Sequence, residues 1–237
     1  MKFCIIGDSW ALNCPGELGY KAIDQILEQK GHTVTNLAAG GASNFGQLLL
    51  LDFQVLQQGN TNFDYILWFH VEPARDFTNF ISLDYGVEVD NQLGLRQFPG
   101  LTFRHFFKDL NYINNQNYIY SQQLYEKYHI PFLVVGASGK LNESIKNFSF
   151  VHWHLDCWLQ QVLNLENSKS IAVNYLLHHV VRMCDNGSYN RNECLLELEL
   201  LDMTEKIIKD NPAIFPDGCH VGEQYYIPLM DQILKSI

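Results

Sequence analysis

Long apolar runs are missing from this chain of 237 residues. The stretch at its start, Phe3 to Ile6, ends at Gly7 and Asp8, too short for a signal peptide or for a span of about 20 residues. It reads instead as a buried first strand. Nothing later is long and apolar enough to cross a bilayer. The expectation is a soluble protein made in the cytoplasm, which a virion or lysis-dependent release could still place outside.

Closely paired cysteines are missing too. Six are scattered along the chain (Cys4, Cys14, Cys157, Cys184, Cys194, Cys219) with no C-x-x-C among them, so neither a zinc knuckle nor a thioredoxin-like site is suggested. At this length a disulfide scaffold is unnecessary, and a reducing compartment is the simpler inference. Cys4, inside the first apolar run, reads as a small core residue. Basic side chains are scarce: 16 face 26 acidic ones, for a net charge of −10. Such a surface repels phosphate backbones and anionic lipid, which argues against nucleic acid and acidic membranes as partners. Repeats, low-complexity tracts and linkers are absent.

What the chain does have is apolar mass. With 47% hydrophobic and 13% aromatic residues it can bury a sizeable core, and its length suits one domain over 1–237. Strand and helix patterns alternate through the first half, which signals an α/β domain with a parallel sheet wrapped by helices. Strands are expected at 2–6, 33–37, 64–70 and 131–137, with a short fifth at 148–152. Helices are expected over 17–30, closed by Gly31, and from an N-cap at Ser43 to about 57. Further helical patterns cover about 110–128, 156–166, 169–184 and 194–209, and a last helix starts near Gly222. The irregular stretch at about 77–105 reads as an insertion or lid.

Ligands of open α/β sheets sit beyond the carboxyl ends of the strands, where strand order reverses. After strand one stands Gly7-Asp8-Ser9-Trp10. A serine at a strand tip that turns into a helix exposes its hydroxyl and leaves its amide free for an anion. Serine alone is a feeble nucleophile and needs a base and an orienting carboxylate. Of nine histidines, His220 alone lies in a loop with an aspartate on its own turn, Asp217-Gly218-Cys219-His220. The plainer readings are that Asp8 and Ser9 cap the following segment, that Asp217-Gly218 makes an ordinary turn, and that Gly40-Gly41 is a tight connection.

Taken in order, these segments resemble the SGNH (GDSL) hydrolase family. GDS matches its first block, with Ser9 as nucleophile. Asp217-Gly218-Cys219-His220 matches its last, with acid and base. Asn36 to Ser43 looks like the second block, whose glycine, here Gly41, donates a backbone N–H to the oxyanion. The resemblance covers about 1–76 and 212–224, and implies a three-layer αβα sandwich with a flavodoxin-like sheet of about five strands. It also implies a Ser9-His220-Asp217 triad, with the amides of Ser9 and Gly41 as oxyanion donors.

One block departs. Where the family carries G-x-N-D after strand three, this chain reads His70-Val71-Glu72-Pro73-Ala74-Arg75-Asp76. The missing asparagine removes a donor whose loss costs about 2.7–4 kcal/mol of transition-state stabilisation. His70 or Arg75 could donate in its place. Glu72 as a carboxylate only accepts, and could pair with Arg75.

The function these readings favour is a serine esterase acting through an acyl-enzyme, with no metal or organic cofactor. A carbohydrate O-acyl ester is the preferred substrate, since an acidic, Asn/Gln/Tyr-rich chain suits sugars better than lipid. The alternatives are a weakened protein of this fold that binds a glycan or protein partner, or an O-acyltransferase. His152, His154 and Asp156 alternate to one face if extended and could form a metal site, but Trp153 and Trp158 beside them favour packing. His178 and His179 point in different directions on a helix. Phe98, Phe103, Phe106 and Phe107 read as core in preference to a substrate platform.

Overall fold

The computed structural model describes residues 1–12, 23–40, 42–71, 103–137, 141, 145–163, 209–216 and 220–237, with only the backbone of helical residues 103–114. Five parallel strands form one sheet: β1 (Lys2–Ile6), β2 (Thr33–Asn36), β3 (Tyr65–His70), β4 (Phe132–Gly136) and β5 (Val151–Leu155), in the order β2-β1-β3-β4-β5. The inner strands β1, β3 and β4 are almost wholly apolar and buried, as a sheet covered on both faces requires, while the edge strands β2 (TVTN) and β5 (VHWHL) are more polar and only partly buried.

Among the described residues the α-helices are α1 (Ser9–Leu12), α2 (Ile23–Gln29), α3 (Asn44–Leu50), α4 (Phe103–Tyr128), α5 (Trp158–Leu163) and α6 (Glu223–Lys235). Alternate strand residues feed two separate cores. Phe3, Ile5, Leu67, Phe69, Leu133 and Val135 pack with the buried residues of α1, α2, α5 and α6. Cys4, Ile6, Ile66, Trp68, Phe132 and Val134 pack with Leu48 of α3 and with Tyr118 and Leu124 of α4. The result is a three-layer αβα sandwich.

The strand order explains this division of helices. From β1 the chain steps one way to β2 and then back past β1 to β3, so right-handed crossovers place α2 on one face and α3 on the other. The reversal opens a crevice beyond the carboxyl ends of β1 and β3. Ser9 stands there.

Several boundaries differ from the sequence reading. Ser43 is the N-cap of α3 as expected, its side chain accepting from Gly46 N. The helix then continues into a π-helical turn, Leu51–Leu56, which no propensity signals. Asp52 on that turn is buried, and accepts from Tyr120 at 2.8 Å, Tyr128 at 3.1 Å and Gln57 at 3.0 Å, so the wider turn is tied to α4. Helix α4 begins at Phe103, inside the stretch read as a lid; the rest of that stretch lies outside the described residues.

The fifth strand starts at Val151 and not at Phe148. Phe148 to Phe150 has the alternation of a strand, but the chain there is turned, with Val151 N donating to Phe148 O, and Phe150 closes onto Phe132 at 5.4 Å. The helical patterns at 169–184 and nearly all of 194–209 lie outside the described residues. Among the described residues no helix is long and apolar enough to cross a membrane. Cys4 and Cys157 are buried, and burial pushes the Cys4 thiol up to about 12, as befits an inert core residue.

Candidate active site

Strand β1 ends in a turn built around Gly7. Its φ is +148°, and a Cβ there would lie 2.7 Å from Phe69 Cβ, 2.9 Å from Ala11 Cβ and 3.0 Å from Phe69 O. Only glycine lets β1 pass this close to β3 and turn at once. Asp8 is fully buried and caps α1: its Oδ1 accepts from Trp10 N at 3.0 Å, and its backbone carbonyl accepts from Ala11 N and Leu12 N. Asp8 thus sets the direction in which Ser9 leaves the sheet. The Ser9 amide, in the first turn of α1, has no intrahelical carbonyl to bond.

The far end of the chain reaches the same place. Phe215 and Val221, each 2% exposed, are packed in the core with residues of α1, α5 and α6. Gly222 N donates to Ile214 O at 2.9 Å and ties the chain before Phe215 to the chain after Val221. His220 then stands with Nε2 2.8 Å from Ser9 Oγ, across 211 positions of sequence. Both residues are half-buried, so the pair is reachable. The His220 ring lies against Trp10, with centroids 5.4 Å apart.

Helix α3 braces the crevice with two buried amides. Asn44 Nδ2 donates to Val71 O at 2.9 Å, and Val71 N donates to Asn44 Oδ1 at 3.0 Å, so one side chain takes both polar groups of the residue after β3. Gln47 Oε1 accepts from Gly7 N at 3.3 Å, just after β1. The sequence does carry a signal for them. The buried stripe of α3 and its continuation runs 44, 47, 48, 51 and 55, and its first two members are polar where an ordinary core face would be apolar. Asn44→Ala strands both Val71 groups in the interior and should lower stability by about 2–3 kcal/mol in urea unfolding. A loss under about 0.5 kcal/mol would show that water replaces the amide without cost.

His70 is 5% exposed, and its ring lies on the α4 face of β3 between Trp68 and Tyr118, with Nε2 3.2 Å from Tyr118 Oη. The sequence offered no hint of Tyr118 as its partner. Gly41, Glu72, Arg75 and Asp217 lie outside the described residues. His152 sits on β5 against Tyr65 at 5.4 Å, and Asp156 holds Lys146 at 2.6 Å. Among the described residues no group of three or more His, Cys, Asp or Glu side chains is placed to hold a metal ion.

No family model and no curated protein matches the chain. Among solved structures it is similar to the crystal structure of an acetyl xylan esterase, AlAXEase, over 100% of both chains, at 14% identity and a TM-score of 0.43. A likeness of that size carries no argument about activity.

Proposed function

We propose that this protein is a serine hydrolase of the SGNH type that cleaves an O-acyl ester through an acyl-enzyme. The observation that carries the reading is the 2.8 Å separation of Ser9 Oγ and His220 Nε2 at the point where strand order reverses. With the imidazole neutral, the Ser9 hydroxyl donates to Nε2, which is the arrangement a general base needs.

Ser9 Oγ attacks the ester carbonyl carbon as its proton passes to Nε2. The carbonyl oxygen becomes an oxyanion, held by the amides of Ser9 and Gly41. Collapse breaks the bond to the alcohol, which leaves with the proton from Nε2, and the acyl group stays on Ser9. Water then gives a proton to Nε2 and adds to the acyl carbon, and the acid departs as Ser9 recovers its proton. Asp217 orients His220 through Nδ1 in this scheme.

His70 is not our choice for the missing asparagine's role, because Tyr118 engages its Nε2. Arg75 is the other candidate donor, and with the two amides alone the enzyme would be competent but slower. The preferred substrate is an acylated carbohydrate, on the strength of the net charge of −10 and the polar aromatic composition.

The test is release of p-nitrophenol from p-nitrophenyl acetate, butyrate and octanoate. A burst equal to the enzyme concentration, followed by a steady rate, is expected with at least one ester. No release above a Ser9→Ala control would sink the proposal. The missing asparagine favours a second reading, a glycan or protein binder of this fold; an inert protein that still bound an acetylated sugar would establish it. An O-acyltransferase would show the same burst, with the steady rate raised by added sugar in place of water.

A further inference from the structure

The residue after the proposed nucleophile is tryptophan, and its surroundings are more constrained than a core position needs. Trp10 is 1% exposed. Its ring meets Trp158 edge-on at 6.2 Å, Trp158 meets Tyr226 at 4.5 Å, and Phe69 of β3 meets Trp158 at 6.2 Å. Tyr226 of α6 also donates its hydroxyl to the Trp10 carbonyl at 3.0 Å. Trp10 is therefore held by side chains from α5 and α6, in ring and in backbone, with Phe69 of β3 backing Trp158.

One contact of that ring is not part of the core. It lies 5.4 Å from the His220 ring, with the planes 64° apart, and His220 is half-buried while Trp10 is not. The indole Nε1 is buried and has no hydrogen-bond partner among the described residues. A buried N–H without an acceptor costs about 1–3 kcal/mol, which a position chosen for packing alone would avoid with phenylalanine or leucine. The bicyclic ring is what reaches His220 from this buried position.

We propose that Trp10 is a positioning residue: its clamped indole is the wall that holds the His220 imidazole in line with Ser9 Oγ. This rests on the reading of Ser9 and His220 as nucleophile and base. Phe215 and Val221 anchor the backbone on either side of His220, and the tilt of its ring is set by the groups around it. A fixed aromatic wall is one of those supports, and rigid support of a catalytic side chain is what keeps its geometry productive. Ser9 and the residue that aligns its base are then adjacent in sequence, so one turn after β1 sets both.

The test compares Trp10→Phe and Trp10→Leu with wild type on p-nitrophenyl acetate, each rate normalised to sites titrated by a fluorophosphonate. Trp10→Leu should lower kcat roughly ten- to a hundredfold with KM within about twofold, and Trp10→Phe should recover most of the loss. A role in stability alone would reduce the titrated fraction and leave kcat per site unchanged, which would overturn the proposal, as would equal losses in both variants. Proton NMR of the wild type gives a second readout that needs no variant. The His220 ring protons should be displaced by the Trp10 ring current, and signals at the positions of a freely turning histidine would overturn it. Failure of the underlying reading looks different: wild type itself would neither release p-nitrophenol nor take the fluorophosphonate.

Discussion

Ser9→Ala should lower kcat/KM for p-nitrophenyl acetate by roughly ten-thousandfold or more, and His220→Ala should do nearly the same. On the proposed mechanism the two residues act as one unit, since the hydroxyl is a poor nucleophile until an imidazole, here 2.8 Å away, takes its proton. The double variant should therefore be no slower than either single one. The residual rate over water would come from the oxyanion-binding amides and from substrate binding alone. Steady-state kinetics on the three variants, with circular dichroism to confirm folding, checks this. Losses that multiply in the double variant would mean that the two side chains act on different steps.

Gly7→Ala carries the largest expected effect on stability, about 3–5 kcal/mol. Two costs add there: a φ of +148° that side chains rarely adopt, and a methyl group placed 2.7 Å from Phe69 Cβ and 2.9 Å from Ala11 Cβ. Neither neighbour can yield easily, because Phe69 and Ala11 are both fully buried in the same core. Gly31→Ala is the control, with a φ of +84° but nothing within 4 Å of the added carbon, and should cost only about 1–2 kcal/mol. Urea unfolding separates the two. Equal losses would mean that conformation alone, and not the close approach of β1 to β3, makes glycine necessary at position 7.

Much of the fold is legible in the chain because the inner strands are short apolar runs stopped by turn residues. Lys2–Ile6 ends at Gly7, and Phe132–Gly136 is wholly buried. Period and punctuation suffice for such segments. The fifth strand was misplaced by three residues because Phe148 and Phe150 alternate like a strand yet stack on each other at 5.3 Å in a turn. The π-helical turn at Leu51–Leu56 was invisible for another reason: it is held by hydroxyls of Tyr120 and Tyr128, some 70 positions away.

The same distinction runs through the site. The meeting of Ser9 with His220 is legible in the chain because a serine at a strand tip and a histidine in an Asp-bearing loop are chemical signals that sit in local sequence. Asn44 and Gln47 show in the sequence only as polar positions on an otherwise apolar stripe, and their partners, like that of Tyr118, emerge only when β1, β3 and α4 are side by side. Trp10 looks like one more apolar residue until the last loop brings His220 against it.

The central claim is that the hydroxyl of Ser9 is an activated nucleophile, and covalent capture tests it most directly. Intact wild-type protein treated with a fluorophosphonate should gain one phosphonyl group per chain, and peptide mapping should place it on Ser9, with His220→Ala labelled far more slowly. Folded protein that stays unmodified, or carries the group on another residue, would contradict the account.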